Sequence, residues 1–487
     1  MELHLIIEGK RDLTGQVYRQ LSQAIRSGRL ADGQQLPPSR LLAQQLGISR
    51  KPVEQAYQRL ACDQLLAGQA GRGTFVIGAK STQAVAQRAV QLASAGTLEA
   101  WRAFDNPLRH FSGAPRVQYE FLGGRPALQH FPQDDWRRAV LAALRAERNH
   151  AAGDASPAGL PALRQAIARH AAFSRGVTAG ADRILVTNGA QQALDLLARV
   201  LLEPGSCVAM EDPGYPPARQ LFASHRARVA PVPVDEEGII VSAIPDDARA
   251  IYVTPAHQFP LGMAMSEARK LALLERARSI GAVIIEDDYD SEFRFEGRPA
   301  DSLQGMDRHG QVAFVGTLSK VLMPQLRVGY VAVPDALLEP MQIARNLTDW
   351  HSTTLTQQAA ARFIDDGSLL RHIRKLGAIY GARRDTLQRC FDGPLGRWFR
   401  LIPTATGFHI TALARRGIDI DLLVRLARRD GVGLYSIGGF YMAAEPLPGL
   451  MMGFGAIETL DIEPALSRVQ AILEQMDAGG RIGTLAT

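Results

Sequence analysis

The sequence predicts an α/β protein in two parts: a small helix-turn-helix head and a large domain built on a mostly parallel sheet. Two observations predict this. Between Leu36 and Leu60, two short helical patterns flank Gly47, with basic residues opening the second. Beyond about residue 118, apolar strand-like runs alternate with helical patterns, as in a parallel sheet covered by helices. The 487 residues exceed one ordinary domain. A composition of 46% hydrophobic and 21% charged residues suits a soluble protein with a sizeable core.

Residues 13–28 read as an amphipathic helix with Val17, Leu21, Ala24 and Ile25 on one face. Gly33 and Pro37-Pro38 end that segment. Ser39 can cap a short helix running to Leu46, Gly47 supplies the turn, and Ser49 can cap the next helix. Pro52 falls in the first turn of that helix, where a missing N–H costs little. Leu65 to Ile77, with Gly68, Gly71 and Gly73, reads as a β-hairpin. From Gly78 to about Gln118, Ala, Gln, Ser and Gly dominate and periodicity weakens, the mark of a linker. The expected divisions are therefore a head over residues 1–78, a linker over 79–117 and a large domain over 118–487. Ile184–Thr187, Ile251–Val253, Val283–Ile285, Val312–Val315 and Gly329–Val333 are the strand runs of the large domain. An Arg-rich helical stretch and a mixed α+β tail follow Gly367.

The net charge is +6, and in residues 1–78 ten basic side chains stand against six acidic ones. Most of the excess charge thus sits in the head, as nucleic acid binding requires. Arg50 and Lys51 open the second helix, the one that enters the major groove in a helix-turn-helix, and Ser49 precedes them. Arg40 opens the preceding helix, and Arg72 sits at the hairpin tip. From spacing alone, a basic three-helix domain that binds protein fits equally well. Cys62, Cys207 and Cys390 are odd in number and far apart, which excludes a disulfide framework and fits a cytoplasmic location. The N-terminus is not a signal peptide, and no apolar run is long enough to cross a membrane.

Lys320 lies in GTLSKVLMPQLRVGY, just after a strand run. A lysine held in an apolar site loses proton affinity and can form a Schiff base with an aldehyde. Thr317 and Ser319 offer hydroxyls to a phosphate, and Arg327 a charged fork. Asn188-Gly189-Ala190-Gln191 forms a small-residue turn opening a helix, which is either an anion site or an ordinary strand-to-helix turn. IIEDDYDSEFRF ends a strand in a carboxylate cluster. Strand alternation puts Asp287 and Tyr289 on one face and Asp288 on the other. A carboxylate aimed at a pyridine nitrogen keeps it protonated, so Asp287 is placed at a ring nitrogen and Tyr289 at a ring hydroxyl. A metal-binding acidic cluster fits less well, because no histidine is paired with it in the sequence. Tyr215, in EDPGYPPAR, can stack on an aromatic ring.

The pieces YRQLSQAIRSGRL, LPPSRLLAQQLGISR, VEQAYQRL and GRGTFV resemble the winged helix-turn-helix of the GntR regulators, with Pro52 where that family usually has Thr. The large domain resembles the fold-type I aminotransferases, with GGRPALQHFPQDDWRRAV, GLPALRQAIARH and GVGLYSIGGFY in family order. Together the chain resembles the MocR subfamily of GntR regulators, as do TPAHQFPLG and GSLLRHIRK. This implies pyridoxal 5'-phosphate on Lys320, Tyr215 stacked on the ring, Asp287 at its nitrogen and Tyr289 at its oxygen. Asn188, Gly189, Ala190, Gln191, Ser319 and Arg327 would surround the phosphate. It also implies a homodimer that binds double-stranded promoter DNA and responds to the cofactor or to a small amine, with no metal and no membrane partner. Two positions depart from the aminotransferase pattern. Thr254, His257 and Gln258 stand where an Asn usually contacts the ring hydroxyl. Met451 aligns with the arginine that holds a substrate carboxylate. The resemblance thus implies a sensor with at most vestigial transaminase activity. The alternatives are an aminotransferase carrying a DNA-binding head, and a scaffold whose head binds protein.

Overall fold

The computed structural model describes residues 5–7, 9, 11–69, 73–77, 99, 101–102, 104, 117–147, 156–297, 301–415, 417–480 and 482–483. The chain divides into two compact units, residues 1–104 and 105–487. The expected linker falls almost wholly outside the described residues, as does Arg72.

In the first unit, α1 (Leu13–Arg26), α2 (Ser39–Gln45) and α3 (Arg50–Cys62) pack with a three-stranded sheet of β1 (Gln35–Leu36), β2 (Leu66–Gln69) and β3 (Gly73–Val76). The apolar face expected on α1 is buried: Val17, Leu21 and Ile25 meet Leu42 from α2 and Val53 and Leu60 from α3. Each such side chain contributes about 1.5–3 kcal/mol on burial, so the three short helices hold one another. Gly47 makes the α2–α3 turn with a φ of +63°, a value a β-carbon disfavours. Two capping expectations are corrected. Pro38 is the N-cap of α2, so Ser39 is its first helical residue, and the Ser39 hydroxyl instead accepts from Arg50 Nε at 3.3 Å. Ser49 does occupy the N-cap of α3 but makes no side-chain capping bond.

The second unit is built on an eight-stranded sheet. Its strands, with the helices that cross over it, are β5 (Ile184–Thr187), α4 (Ala190–Leu201), β6 (Cys207–Asp212), α5 (Pro216–Ser224), β7 (Arg228–Asp235), β8 (Gly238–Ile239), β9 (Ala248–Val253), α6 (Glu267–Ile280), β10 (Val283–Asp288), β11 (Val312–Thr317) and β12 (Gly329–Ala332). A short strand β4 (Tyr119–Glu120) precedes them and pairs elsewhere, with Val432–Gly433. The order across the sheet is β5-β12-β11-β10-β9-β6-β7-β8. Pairs β7–β6–β9–β10–β11 are parallel, and β12 runs antiparallel between β11 and β5. Strands β5, β6, β9, β10 and β11 are buried almost throughout, so each carries a continuous apolar run rather than an alternating pattern, with β6 and β10 ending in acidic residues. Two apolar layers cover the sheet's faces, one carrying Leu194, Leu197, Phe222 and Tyr252, the other Ile251, Leu273 and Ile284.

The Arg-rich stretch is the helix Ser368–Asp392. It leads into a four-stranded antiparallel sheet of Phe399–Leu401, His409–Ala414, Gly449–Gly453 and Tyr435–Ser436. Among the described residues, no helix is long and apolar enough to cross a membrane.

Candidate functional site: a cleft around Lys320

Four carboxyl ends of parallel strands and the start of β12 meet on one edge of the large sheet, the edge at which α/β folds bind ligands. There β5 delivers Asn188 and Gly189, β6 delivers Tyr215, β10 delivers Asp287 and Tyr289, β11 delivers Ser319 and Lys320, and β12 is preceded by Arg327. The sequence-predicted residues of the large unit are thus brought together.

Lys320 Nζ donates to the carbonyl of Gly124 at 2.9 Å. Burial pushes its pKa below the usual lysine value, against the opposing pull of Asp290 and Asp287. The nitrogen is therefore easier to deprotonate than a surface lysine's. Asp287 is buried, and one carboxylate oxygen accepts from the Tyr252 hydroxyl at 2.7 Å. Its other oxygen, Oδ1, has no hydrogen-bond partner. Burial raises the Asp287 pKa to about 6. A buried carboxylate oxygen with nothing to accept is costly and calls for a donor. As the strand pattern requires, Asp288 turns the other way and pairs with Arg175 at 2.5 Å. Tyr289 donates to the carbonyl of His257 at 2.8 Å. Tyr215 sets its ring edge-on to Phe259, with centroids 5.3 Å apart, and burial raises its pKa to about 12.

An anion cradle lies beside these groups. Gly189, at φ +84°, is the N-cap of α4 and makes no side-chain capping bond. The first turn of any helix carries N–H groups without intrahelical acceptors. A β-carbon on Gly189 would sit 2.8 Å from the Arg327 guanidinium, so glycine is what lets the arginine lie on this turn. Arg327 itself is left-handed, at φ 52°, and donates to the carbonyl of Asn188 at 2.8 Å. Ser319 is buried with its hydroxyl unpartnered, while its N–H donates to Thr317 Oγ1 at 3.1 Å. The Asn188 side chain turns to Asp349, donating at 2.9 Å, and Gln191 is exposed. Here it is backbone rather than side chain that the turn from Asn188 to Gln191 offers.

Sequence reasoning missed four features. Gly124 and Tyr252 partner Lys320 and Asp287 from distant segments, although Tyr252 lies in a strand already recognised. Glu211, whose pKa burial raises to about 7, accepts from the Thr254 hydroxyl at 2.7 Å and from its N–H at 3.1 Å. The last feature corrects the statement that the carboxylate cluster has no histidine: His257 Nδ1 is 2.9 Å from Asp290 Oδ1, and the His409 ring lies 4.2 Å from that of His257. All three are buried; burial pushes the Asp290 carboxyl up, but His257 and then His409 outweigh it and hold it below the usual range. Thr254 and Gln258 tie their loop to β6 and the segment that follows it: Thr254 through Glu211, and Gln258 by donating to the carbonyl of Pro213, as well as to that of Phe259, at 2.8 Å each. Met451 is buried in an apolar cluster with Leu261, Leu413 and Ile437, against which Phe259, Phe440 and Tyr441 pack.

In the head, Arg40, Ser49, Arg50 and Lys51 are all exposed. Arg50 also pairs with Glu54 one turn on, at 2.7 Å. The Tyr57 hydroxyl donates to the carbonyl of Pro37 at 2.8 Å, fixing α3 against the segment that enters α2.

The donor set of the cleft fits a phosphorylated pyridine aldehyde: an unpaired buried carboxylate oxygen, an unpaired serine hydroxyl, a glycine-opened helix with an arginine, and a buried lysine. Residues 126–418 match the model for aminotransferase class I and II, and residues 13–76 that for bacterial regulatory proteins of the gntR family. A probable rhizopine catabolism regulatory protein, MocR, of Rhizobium meliloti is 30% identical over 468 residues, spanning 96% of this chain and 95% of its own. The chain belongs to the MocR-type GntR regulators. It is a transcription regulator with an aminotransferase-like domain. A pyridoxine biosynthesis transcriptional regulator, PdxR, of Corynebacterium glutamicum is likewise similar, at 30% over 441 residues and 91% of each chain. Among solved structures, a kynurenine aminotransferase of Pyrococcus horikoshii superposes with a TM-score of 0.72 at 25% identity, covering 80% of this chain and 99% of its own. The class I and II fold implies pyridoxal phosphate, and the GntR-type head implies DNA.

Proposed function

We propose that this regulator senses pyridoxal 5'-phosphate, or an amino compound that reacts with it, through Lys320. The observation that carries the reading is the unpaired Asp287 Oδ1, buried in the same cleft as the Lys320 amine. In this reading Asp287 holds the ring nitrogen, Tyr215 stacks on the ring, and Tyr289 meets its oxygen. Asn188, Gly189, Ala190, Gln191, Ser319 and Arg327 surround the phosphate. When bound, the group supplies an aldehyde reactive toward amines and an electron-accepting ring. Lys320 offers an easily deprotonated nitrogen to that aldehyde, and the buried walls exclude water.

Arg40, Ser49, Arg50, Lys51 and Arg72 meet promoter DNA, the first four on phosphates and base edges through α2 and α3. Two heads on a homodimer would read paired half-sites, with ligand binding shifting the population of DNA-competent arrangements. The location is cytoplasmic. The head spans 1–78 and the cofactor-binding domain 118–487, joined by a linker over 79–117.

The test is a cofactor titration followed by visible absorbance, run beside a mobility shift with promoter DNA. Lys320→Ala is expected to lose the lysine-linked absorbance band and the response of DNA binding to cofactor. An unchanged response in that variant would remove Lys320 as the switch. Multiple turnover of an amino acid with a keto acid would instead favour an aminotransferase carrying a DNA-binding head, a reading that Met451 in place of a carboxylate-binding cation disfavours.

A further inference from the structure

We infer that the amine admitted to the cleft carries no carboxylate beside its amino group and has an apolar, aryl or alkyl, body lying against Met451, Phe259 and Phe440. This deepens the preceding reading and rests on it. Two consecutive glycines link the thioether and the lysine nitrogen: the first packs against Met451 and the second against Lys320. A β-carbon on Gly123 would lie 2.8 Å from Met451 Cε, and one on Gly124 would lie 3.0 Å from Lys320 Nζ. The Met451 methyl and the Lys320 nitrogen thus flank neighbouring residues of one backbone segment.

The wall continues as an aromatic run. Phe259 packs edge-on to Tyr215 at 5.3 Å, to Phe440 at 5.0 Å and to Tyr289 at 6.1 Å, so the cofactor's neighbours pass directly into the apolar cluster around Met451. The two walls are also fastened together. Asp212 accepts from the N–H groups of Met442, Ala443 and Ala444 at 2.7, 2.9 and 2.8 Å, and the Gly214 N–H donates to the Phe440 carbonyl at 3.1 Å.

The charges decide against an acid. The charged groups that act most on Lys320 are Asp290, Asp287 and Arg327, with the His409 imidazole also within reach. Arg327 is spent on the Asn188 carbonyl and the Gly189 turn, on the anion-cradle side. A ligand carboxylate at Met451 would shed its hydration and gain no cation from that side chain, while Arg219 on the same wall already donates to the Tyr441 carbonyl at 3.3 Å. An apolar group there loses only water contact, which favours binding.

The test compares 2-phenylethylamine with L-phenylalanine, which differ by the one carboxylate, on the full-length chain loaded with pyridoxal phosphate. Calorimetry and the cofactor absorbance band report binding. The amine is expected to bind at least about tenfold more tightly. Met451→Arg is expected to shift the ratio toward phenylalanine by about tenfold or more. Met451→Lys repeats the test should the arginine variant fail to fold, as judged by its melting. Equal binding of the two compounds, tighter binding of phenylalanine, or binding of neither by cofactor-loaded protein overturns this inference alone. A wild-type chain that takes up no pyridoxal phosphate overturns the reading of the cleft and this inference together.

Discussion

The head and the large unit hold their functional charges in opposite ways. In the head, Arg40, Arg50 and Lys51 stand exposed on a scaffold whose core carries no buried charge among the described residues. In the large unit the groups that matter are buried and interlocked: Asp287 with Tyr252, Asp288 with Arg175, Asp290 with two histidines, Glu211 with Thr254. An exposed charge keeps its hydration and acts at a distance, so it can be replaced with little harm to folding. A buried charge is stable only with its partner present. Function and stability are therefore separable in the head and entangled in the cleft.

The widest gap between the two regions is expected at Arg175. Both it and Asp288 are buried, so Arg175→Met leaves a carboxylate without its cation and should destabilise the large unit by about 3–5 kcal/mol. Denaturant unfolding measures this, and a loss under about 1 kcal/mol would break the contrast.

A smaller effect is expected at Glu211. Burial raises its pKa from 4.5 to about 7. A raised folded-state value means stability fully present below 4.5 and lost as pH rises through about 7. Glu211→Gln removes that dependence. The stability of the variant relative to wild type should grow across this window by on the order of 2–3 kcal/mol. Melting curves that stay parallel at every pH would contradict it.

The smallest change in stability belongs to the head. Lys51→Ala should alter folding by no more than about 0.5 kcal/mol. It should still weaken DNA binding and reduce the salt slope by about one. If it unfolds the head, or leaves the slope untouched, the separation of function from folding there is wrong.

How far the sequence revealed all this follows the same division. Apolar runs such as Ile184–Thr187 and Val283–Ile285 were legible because a strand buried on both faces has no polar alternation to obscure it. Asp287 against Asp288 was legible because strand periodicity is local. The sequence places the helix cap one residue late, at Ser39, because Pro38 takes the N-cap position by its backbone angles alone and offers no capping side chain to signal it. Gly124 is 196 residues from Lys320. The His257–Asp290–His409 group gathers three segments that only the folded sheet brings together. No local spacing encodes such contacts.

The three N–H bonds to Asp212 have a consequence beyond local order. One short side chain is the pin between two segments that lie some 230 residues apart in the chain. A substitution near Met442 would pull on the backbone carrying Tyr215, and a change at Tyr215 would pull back. On the reading proposed above, the wall against the amine and the grip on the cofactor move as one piece of backbone.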